Sequence, residues 1–369
     1  MKKLYSLFLF IALVACSTQK ETETNGEEQM TMLPILVGTY TAGISEGVYQ
    51  VNFNPEDGSF GEAYLMAKTE NPSYLAVSKI KKNVYVVNEN ENGTLSTFEW
   101  NSQGSLNLVA TRSVEGKHPC HVSVNGDNSM ISVANYSSGN VAVFQSVAEL
   151  VEGGSFHQHE GKGTHWRQDA PHAHFSTFSK DGKYLYAVDL GIDEVKVYDI
   201  VNGNISGART AFKTDAEDGP RHLDFHPGQD LVYVLNELSN TVTACEILDD
   251  GTFKPLNKVS ALPEGYEGDT KAADIHVSAE GKYLYYSNRG FHSISVFSLD
   301  GNGGMDLIGH ATEGITNPRS FTLSPDGKFL IVANQDTDNI ISFKVGADGL
   351  LTSTGHEVKV GTPVCVKFY

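Results

Sequence analysis

Apolar and polar positions alternate along most of this chain in short runs separated by Gly, Asp, Asn and Ser, and a helical spacing is nowhere sustained. The runs recur in a fixed order. "NPSYLAVSKIKKNVYVVNENENGTLSTFEW" from Asn71, "HPCHVSVNGDNSMISVANYSSGNVAVFQSV" from His118 and "APHAHFSTFSKDGKYLYAVDLGIDEVKVYDI" from Ala170 share one layout. So do "GPRHLDFHPGQDLVYVLNELSNTVTACEI" from Gly219, "AADIHVSAEGKYLYYSNRGFHSISVFSL" from Ala272 and "NPRSFTLSPDGKFLIVANQDTDNIISFKV" from Asn317. Aligning Tyr74, His121, His174, His222, His276 and Ser320 gives separations of 47, 53, 48, 54 and 44 residues.

Each unit reads as an alternating first strand, a turn such as Asp181-Gly182 or Asp326-Gly327, a second strand rich in Tyr, Val and Leu, a polar loop and a third strand. A fourth, such as "SLNLVATRSVEG", precedes the next unit. Four antiparallel strands repeated every ~40 to 50 residues predict the blades of a β-propeller. The C-terminal "GTPVCVKFY" reproduces only a first strand, and the N-terminal "LPILVGTYTAGISEGVYQVNF" and "GEAYLMAKT" supply the other three. The expected fold is therefore all-β: one domain, residues 33–369, a seven-bladed β-propeller closed by pairing the C-terminal strand with the N-terminal ones. Closure removes an exposed sheet edge.

The 369 residues, 40% hydrophobic and 20% charged, suit a globular chain. Residues 1–15, "MKKLYSLFLFIALVA", read as an export signal: Lys2 and Lys3 precede an apolar run shorter than the ~20 residues of a spanning helix. Leu13-Val14-Ala15-Cys16 resembles the bacterial lipobox, so Cys16 is the expected lipidation site, and residues 16–32 read as a flexible tether. Together these predict a lipoprotein of the cell envelope, outside the inner membrane and attached through Cys16. The formal charge of −18 becomes −20 once Lys2 and Lys3 are removed, and no basic patch invites nucleic acid. Cys120, Cys245 and Cys365 read as buried free thiols in strands. A monomer is expected.

In an antiparallel blade the start of the first strand and the loop joining the second and third strands lie at the same end. One mouth of the ring should therefore gather His121, His172, His174, Arg221, His222, Asp274, His276 and Arg319 from strand starts. From the loops it should gather Asn135, Tyr136, Asp189, Glu237, Asn288, Arg289, Asn334 and Gln335. The opposite end carries generic turns, "SKDGKY", "SAEGKY" and "SPDGKF". Of six arginines, Arg112, Arg167, Arg209, Arg221, Arg289 and Arg319, three map to the mouth, where a planar guanidinium suits a carboxylate, a phosphate or a developing oxyanion. Pairing with Asp or Glu between blades is the structural alternative, and the aligned histidines equally suit a repeated hydrogen bond.

"GTYT", "NPSYLAVS", "HPCHVSV", "PHAHF", "GPRHLDFHP" with "NEL", "AADIHVS" with "SNRG", and "PRSFTLSPDGKFLIVANQ" resemble the seven-bladed β-propeller lactonase family across all seven blades. That family includes propeller-type 6-phosphogluconolactonases and carboxymuconate lactonizing enzymes. The resemblance implies a catalytic set of His174, Arg221, Glu237 and Arg289, with no cofactor and a small lactone or sugar acid as substrate. Lactone opening needs an activated water, an oxyanion donor and an acid for the leaving alkoxide. Glu237 or His174 would handle protons and Arg221 the oxyanion. His121, Asn135, His172, His222, Asp274, His276, Arg319 and Gln335 are the expected substrate-binding residues.

No metal is expected. His157, His159 and His165 in "SFHQHEGKGTHWRQ" have no spacing that fixes a ligand geometry, and "EGKGT" lacks the context of a phosphate loop, although this segment could cap the mouth. Two other functions fit the same architecture: a lactonizing or isomerising enzyme for carboxymuconate-like acids, and a non-catalytic propeller that binds an envelope carbohydrate or partner.

Overall fold

The computed structural model of the protein describes residues 31–78, 83–147 and 150–369. The expected signal, Cys16 and nearly all of the tether fall outside them. From residue 32 onward the strands form seven four-stranded antiparallel sheets, the blades of a propeller. Blades 1 to 6 run consecutively over residues 72–113, 119–158, 173–213, 220–260, 271–311 and 318–359. Blade 7 joins the two ends: Leu33–Thr39 pairs with Gly47–Phe53 on one side and with Pro363–Phe368 on the other, Ile35 opposite Phe368 and Val37 opposite Val366.

Burial follows position within a blade. Second strands such as Leu231–Asn236 and Phe329–Asn334 are buried at every residue, because a neighbouring blade covers each face. Their near-continuous Val, Leu and Ile content reflects that double burial. Outer strands such as Leu106–Ser113 are mostly exposed. The core is a set of seams between blades: Tyr186, Val188 and Val197 of blade 3 pack on Leu223, Val232 and Val234 of blade 4. At the closing blade Phe53 meets Phe329 edge-on at 5.4 Å and Phe368 at 5.8 Å. Turns on the face opposite the mouth place Gly182, Gly281 and Gly327 at φ of 71°, a left-handed conformation that disfavours a Cβ.

Each inner strand enters its blade through an irregularity in which an extra residue is inserted: Pro119 pairs with Asn135 but His121 with Ala134, and Pro220 with Asn236 but His222 with Leu235. Such a bulge re-aims a side chain. The inserted residues, Ser73, Cys120, His174, Arg221, Ala273, Arg319 and Val364, form a tier around the axis. One residue further along, Tyr74, His121, Phe175, His222, Asp274, Ser320 and Cys365 form a second tier. Strand alternation then places Ala76, Ser123, Thr177, Asp224, His276, Thr322 and Lys367 in a third.

This register corrects the sequence alignment in two blades. Phe175, not His174, is equivalent to His121 and His222, and Asp274, not His276, is their counterpart in blade 5. An apolar ring and an acid stand where the recurring histidine suggested two more histidines.

Candidate functional site at the axial mouth

The mouth is a cavity of about 240 Å³ bounded by Tyr40, Glu89, Cys120, Tyr136, Arg167, His174, Arg221, Glu237, Arg289 and Arg319. Its architecture is simple. Cys120, His174, Arg221 and Arg319 come from the bulge tier, whereas Tyr40, Glu89, Tyr136, Glu237 and Arg289 are each the residue just after, or last in, a second strand. Arg167 arrives from outside the blades, on the long loop between blades 2 and 3.

That loop is fastened at two buried points. His159 lies with Nδ1 2.6 Å from the Asp189 carboxylate and Nε2 2.8 Å from the Tyr198 hydroxyl. Gln168 donates to the Leu190 carbonyl at 2.8 Å and to Asp193 at 2.7 Å. Close approach is built in at Gly191, where an added Cβ would meet the Ala170 carbonyl at 1.9 Å. His165 accepts from the Arg167 backbone amide, so these histidines shape the loop, and among the described residues none joins a metal-binding cluster.

Glu237 is the electrostatic centre. Its Oε1 is 2.7 Å from Arg167, while Oε2 is 2.8 Å from Arg221 and 3.1 Å from Arg289. Burial alone would raise its pKa, but Arg289, Arg221 and Arg167 override that and hold it well below the usual carboxylate range. Arg221 is fixed by three acceptors: Nε donates to the Ala273 carbonyl at 2.8 Å, and Nη1 serves both Glu237 and, at 2.5 Å, His174 Nε2. His174 is therefore a neutral imidazole carrying its proton on Nδ1, which has no partner among the described residues. Burial first, and Arg221 next, hold it well below the ordinary histidine value.

Arg289 donates to the Ala272 carbonyl at 2.8 Å, and its buried Nε has no partner among the described residues. Burial, together with Arg221, Arg319 and Arg167, outweighs Glu237 and lowers it to about 9, which leaves the guanidinium charged at neutral pH. Arg319 differs from the others: it lies 5.4 Å over the Tyr40 ring, and among the described residues no hydrogen bond or ion pair occupies its donors. Tyr40 donates to Glu89 at 2.9 Å. Four guanidiniums face two carboxylates, so the cavity carries net positive charge inside an acidic protein, and at this range local charges outweigh a screened surface field.

The expected catalytic set, His174, Arg221, Glu237 and Arg289, thus converges on one cavity, with Arg319 beside it. The other expected contacts separate from it. His121, His222, Asp274 and His276 lie deeper, past a constriction of about 10 Å³, room for about one water. His172 stacks on Tyr136 at 4.5 Å and donates Nδ1–H to its carbonyl at 3.0 Å, acting behind the wall.

Asn135 is fully buried and donates to the Val114 carbonyl; Asn288 and Asn334 likewise reach back to the Ala261 and Gly314 carbonyls, each tying its strand to the loop that enters the blade. Asp189 accepts from the His172 and Gly191 amides. Gln335 occupies the position equivalent to Glu237 but lies outside the cavity wall. In each loop pair the asparagine is structural, and it is the next residue that can face the axis.

Glu89, Tyr40 and Arg167 were not anticipated. Asn88-Glu89 repeats the Asn236-Glu237 pair at the same blade position, a signal present in the sequence. Arg167 offered none, since a loop outside the repeat delivers it.

Comparison with known proteins agrees with this architecture. The profile described as "Lactonase, 7-bladed beta-propeller" matches residues 34–368. The chain belongs to the seven-bladed β-propeller lactonase family. A 6-phosphogluconolactonase of Bacillus subtilis is 37% identical over 270 residues, which is 72% of this chain and 77% of that protein. Among solved lactonase-family structures, a periplasmic gluconolactonase of Pseudomonas aeruginosa shares 31% identity with a TM-score of 0.87, covering 92% of this chain and 99% of its own. A candidate 6-phosphogluconolactonase of Bacteroides fragilis shares 36% identity with a TM-score of 0.83, covering 92% and 98%. For this chain the comparisons support a lactone hydrolase.

Proposed function

We propose that the protein opens the ring of a sugar-acid lactone by water attack at the axial mouth. The observation that carries this reading is the carboxylate of Glu237, held by three guanidiniums beside a neutral His174. Arg221 and Arg289 receive the lactone carbonyl oxygen and stabilise the tetrahedral oxyanion, an effect worth ~10² to 10³ in rate per donor. As that negative charge grows it shares the guanidiniums with Glu237 and raises the basicity of the carboxylate. Glu237 then takes the proton of the attacking water while the new carbon–oxygen bond forms. Collapse breaks the ring carbon–oxygen bond, and the proton passes from Glu237 to the leaving alkoxide. His174, its lone pair occupied by Arg221, positions that guanidinium rather than acting as the base.

Arg319, with no protein acceptor, is free to bind an anionic substituent or hydroxyls of the sugar, and Tyr40 with Glu89 would meet the remaining hydroxyls. The relatives' names supply two substrates for comparison, 6-phosphogluconolactone and gluconolactone. An export leader would favour the unphosphorylated sugar. The deciding experiment follows acid release from both lactones with purified protein and with Glu237→Gln. Hydrolysis above the spontaneous rate that disappears in the variant supports the proposal; a wild-type protein that leaves both lactones at their spontaneous rates overturns it.

A further inference from the structure

Beyond the constriction the axis widens into a second chamber of about 620 Å³, more than twice the volume of the mouth. Its roof is the tier containing Tyr74, His121, His222 and Asp274, and its walls are the tier containing Ser123, Thr177, Asp224, His276 and Lys367. Aromatic rings continue from the roof to the rim, where Trp100 stacks on Tyr369 at 4.7 Å.

The hydrogen bonds in this chamber do not balance. Both carboxylates are already engaged. Asp274 accepts from His222 Nδ1 at 3.0 Å and from the Ile275 and Phe321 amides at 3.1 and 3.2 Å, with His276 Nε2 3.4 Å away. Asp224 accepts from the Phe225 and Val277 amides at 2.9 and 2.8 Å. Lys367, by contrast, donates only to the Tyr74 hydroxyl, at 3.1 Å, and lies 4.9 Å over that ring; among the described residues no carboxylate pairs with it. An ammonium has three donors, so two find no protein acceptor among the described residues, in a chamber that opens at the Trp100 rim. Among the described residues the Ser123 hydroxyl is buried without a partner, and so is Nε2 of His222, which is 3% exposed.

A half-buried ammonium without a carboxylate partner, set among rings, suits a ligand that brings negative acceptors on a flat apolar body. We infer that this chamber is a second binding site, separate from the lactone site, for a small aromatic carboxylate, with Lys367 and Ser123 holding the carboxylate and Tyr74, Phe175 and the Trp100 rim enclosing the ring. His222 Nε2 is an unprotonated acceptor, because Nδ1 donates to Asp274, and it suits a hydroxyl on that ring. The constriction keeps such a ligand from reaching the mouth.

The chain's two tryptophans allow a local readout: Trp100 stands at the chamber, and Trp166, next to Arg167 in the chain, is exposed on the loop between blades 2 and 3. In full-length protein carrying Trp166→Phe, sodium benzoate should change Trp100 fluorescence saturably. Acetate, which lacks the ring, and benzyl alcohol, which lacks the charge, should bind at least ten-fold more weakly. Lys367→Gln should weaken benzoate at least ten-fold while lactone hydrolysis stays within two-fold. Thr177→Phe, which projects a ring into the chamber and keeps the lysine, should weaken the response. Absence of a saturable Trp100 response to benzoate, or equal benzoate affinity in folded Lys367→Gln, would overturn the assignment. If Lys367→Gln does not fold, an undiminished response in Thr177→Phe overturns it instead.

Discussion

Arg221 and Glu237 belong to one hairpin and meet at 2.8 Å, and the same Arg221 nitrogen lies 2.5 Å from His174 in the preceding blade. One guanidinium therefore couples the positions of the proposed base and its neighbouring imidazole. Arg221→Lys should lose at least ~10² in kcat, because an ammonium cannot serve the Ala273 carbonyl, His174 and Glu237 together. Steady-state kinetics in which Arg221→Lys matches wild type would remove Arg221 from the reaction.

Glu237→Gln should affect two properties. Activity should fall by at least ~10³, and stability by about 3–5 kcal/mol, since three buried guanidiniums lose their shared counter-charge. Denaturant melts alongside rate measurements below the melting range separate these effects. A variant as stable as wild type would mean that the arginines repel one another less than their geometry implies.

Arg319→Ala tests substrate choice. Because no acceptor among the described residues occupies its donors, removal should raise KM for a phosphorylated lactone by about ten-fold or more and leave gluconolactone within about two-fold. Equal effects on both lactones would assign Arg319 to the sugar ring instead of a phosphate.

Acid should loosen the axis through its buried histidines. Burial, partly offset by Asp274, lowers His222 from 6.5 to about 4, and burial also depresses His121 and His174. The unfolded chain then binds more protons than the folded one below pH 6.5, so stability is complete above that value and declines as pH falls toward 4. His276, raised by Asp274, and the Asp224 carboxyl, raised by burial, work in the opposite sense but are two groups against three. Melting temperatures should drop across pH 6.5 to 4, with a shallower slope in His222→Gln. Flat melting temperatures over that interval would contradict the neutral assignment of these rings.

Removing residues 363–369 should prevent folding. The deletion strips the inner strand from blade 7, exposes the edge of Leu33–Thr39 and takes Val366 from the seam it shares with Val37 and Ile331. Loss of soluble protein, or of a cooperative melt, is the expected outcome.

The blades were legible because two periodicities agree: strand alternation within each unit and repetition between units. Closure was legible because the chain ends are complementary fragments. Tier assignment was not. An inserted residue at each strand entrance shifts the facing by one, so "PHAHF" aligned by its second histidine places His174 where Phe175 stands. The asparagines at second-strand ends looked like mouth residues because polarity does not reveal direction, and Asn135 turns away from the axis to bond Val114. Arg167 depends on the buried anchors His159 and Gln168, a tertiary relationship that no local pattern encodes.

The bulge at each strand entrance makes neighbouring side chains answer to different compartments. Arg221 serves the mouth and His222 the passage beneath it, although they are consecutive in the chain. Mutational change at one need not disturb the other, because each has its own hydrogen-bond supports in blade 5: Ala273 for the arginine and Asp274 for the histidine. The scaffold can thus vary the chemistry of one opening while conserving the plug that separates it from the other.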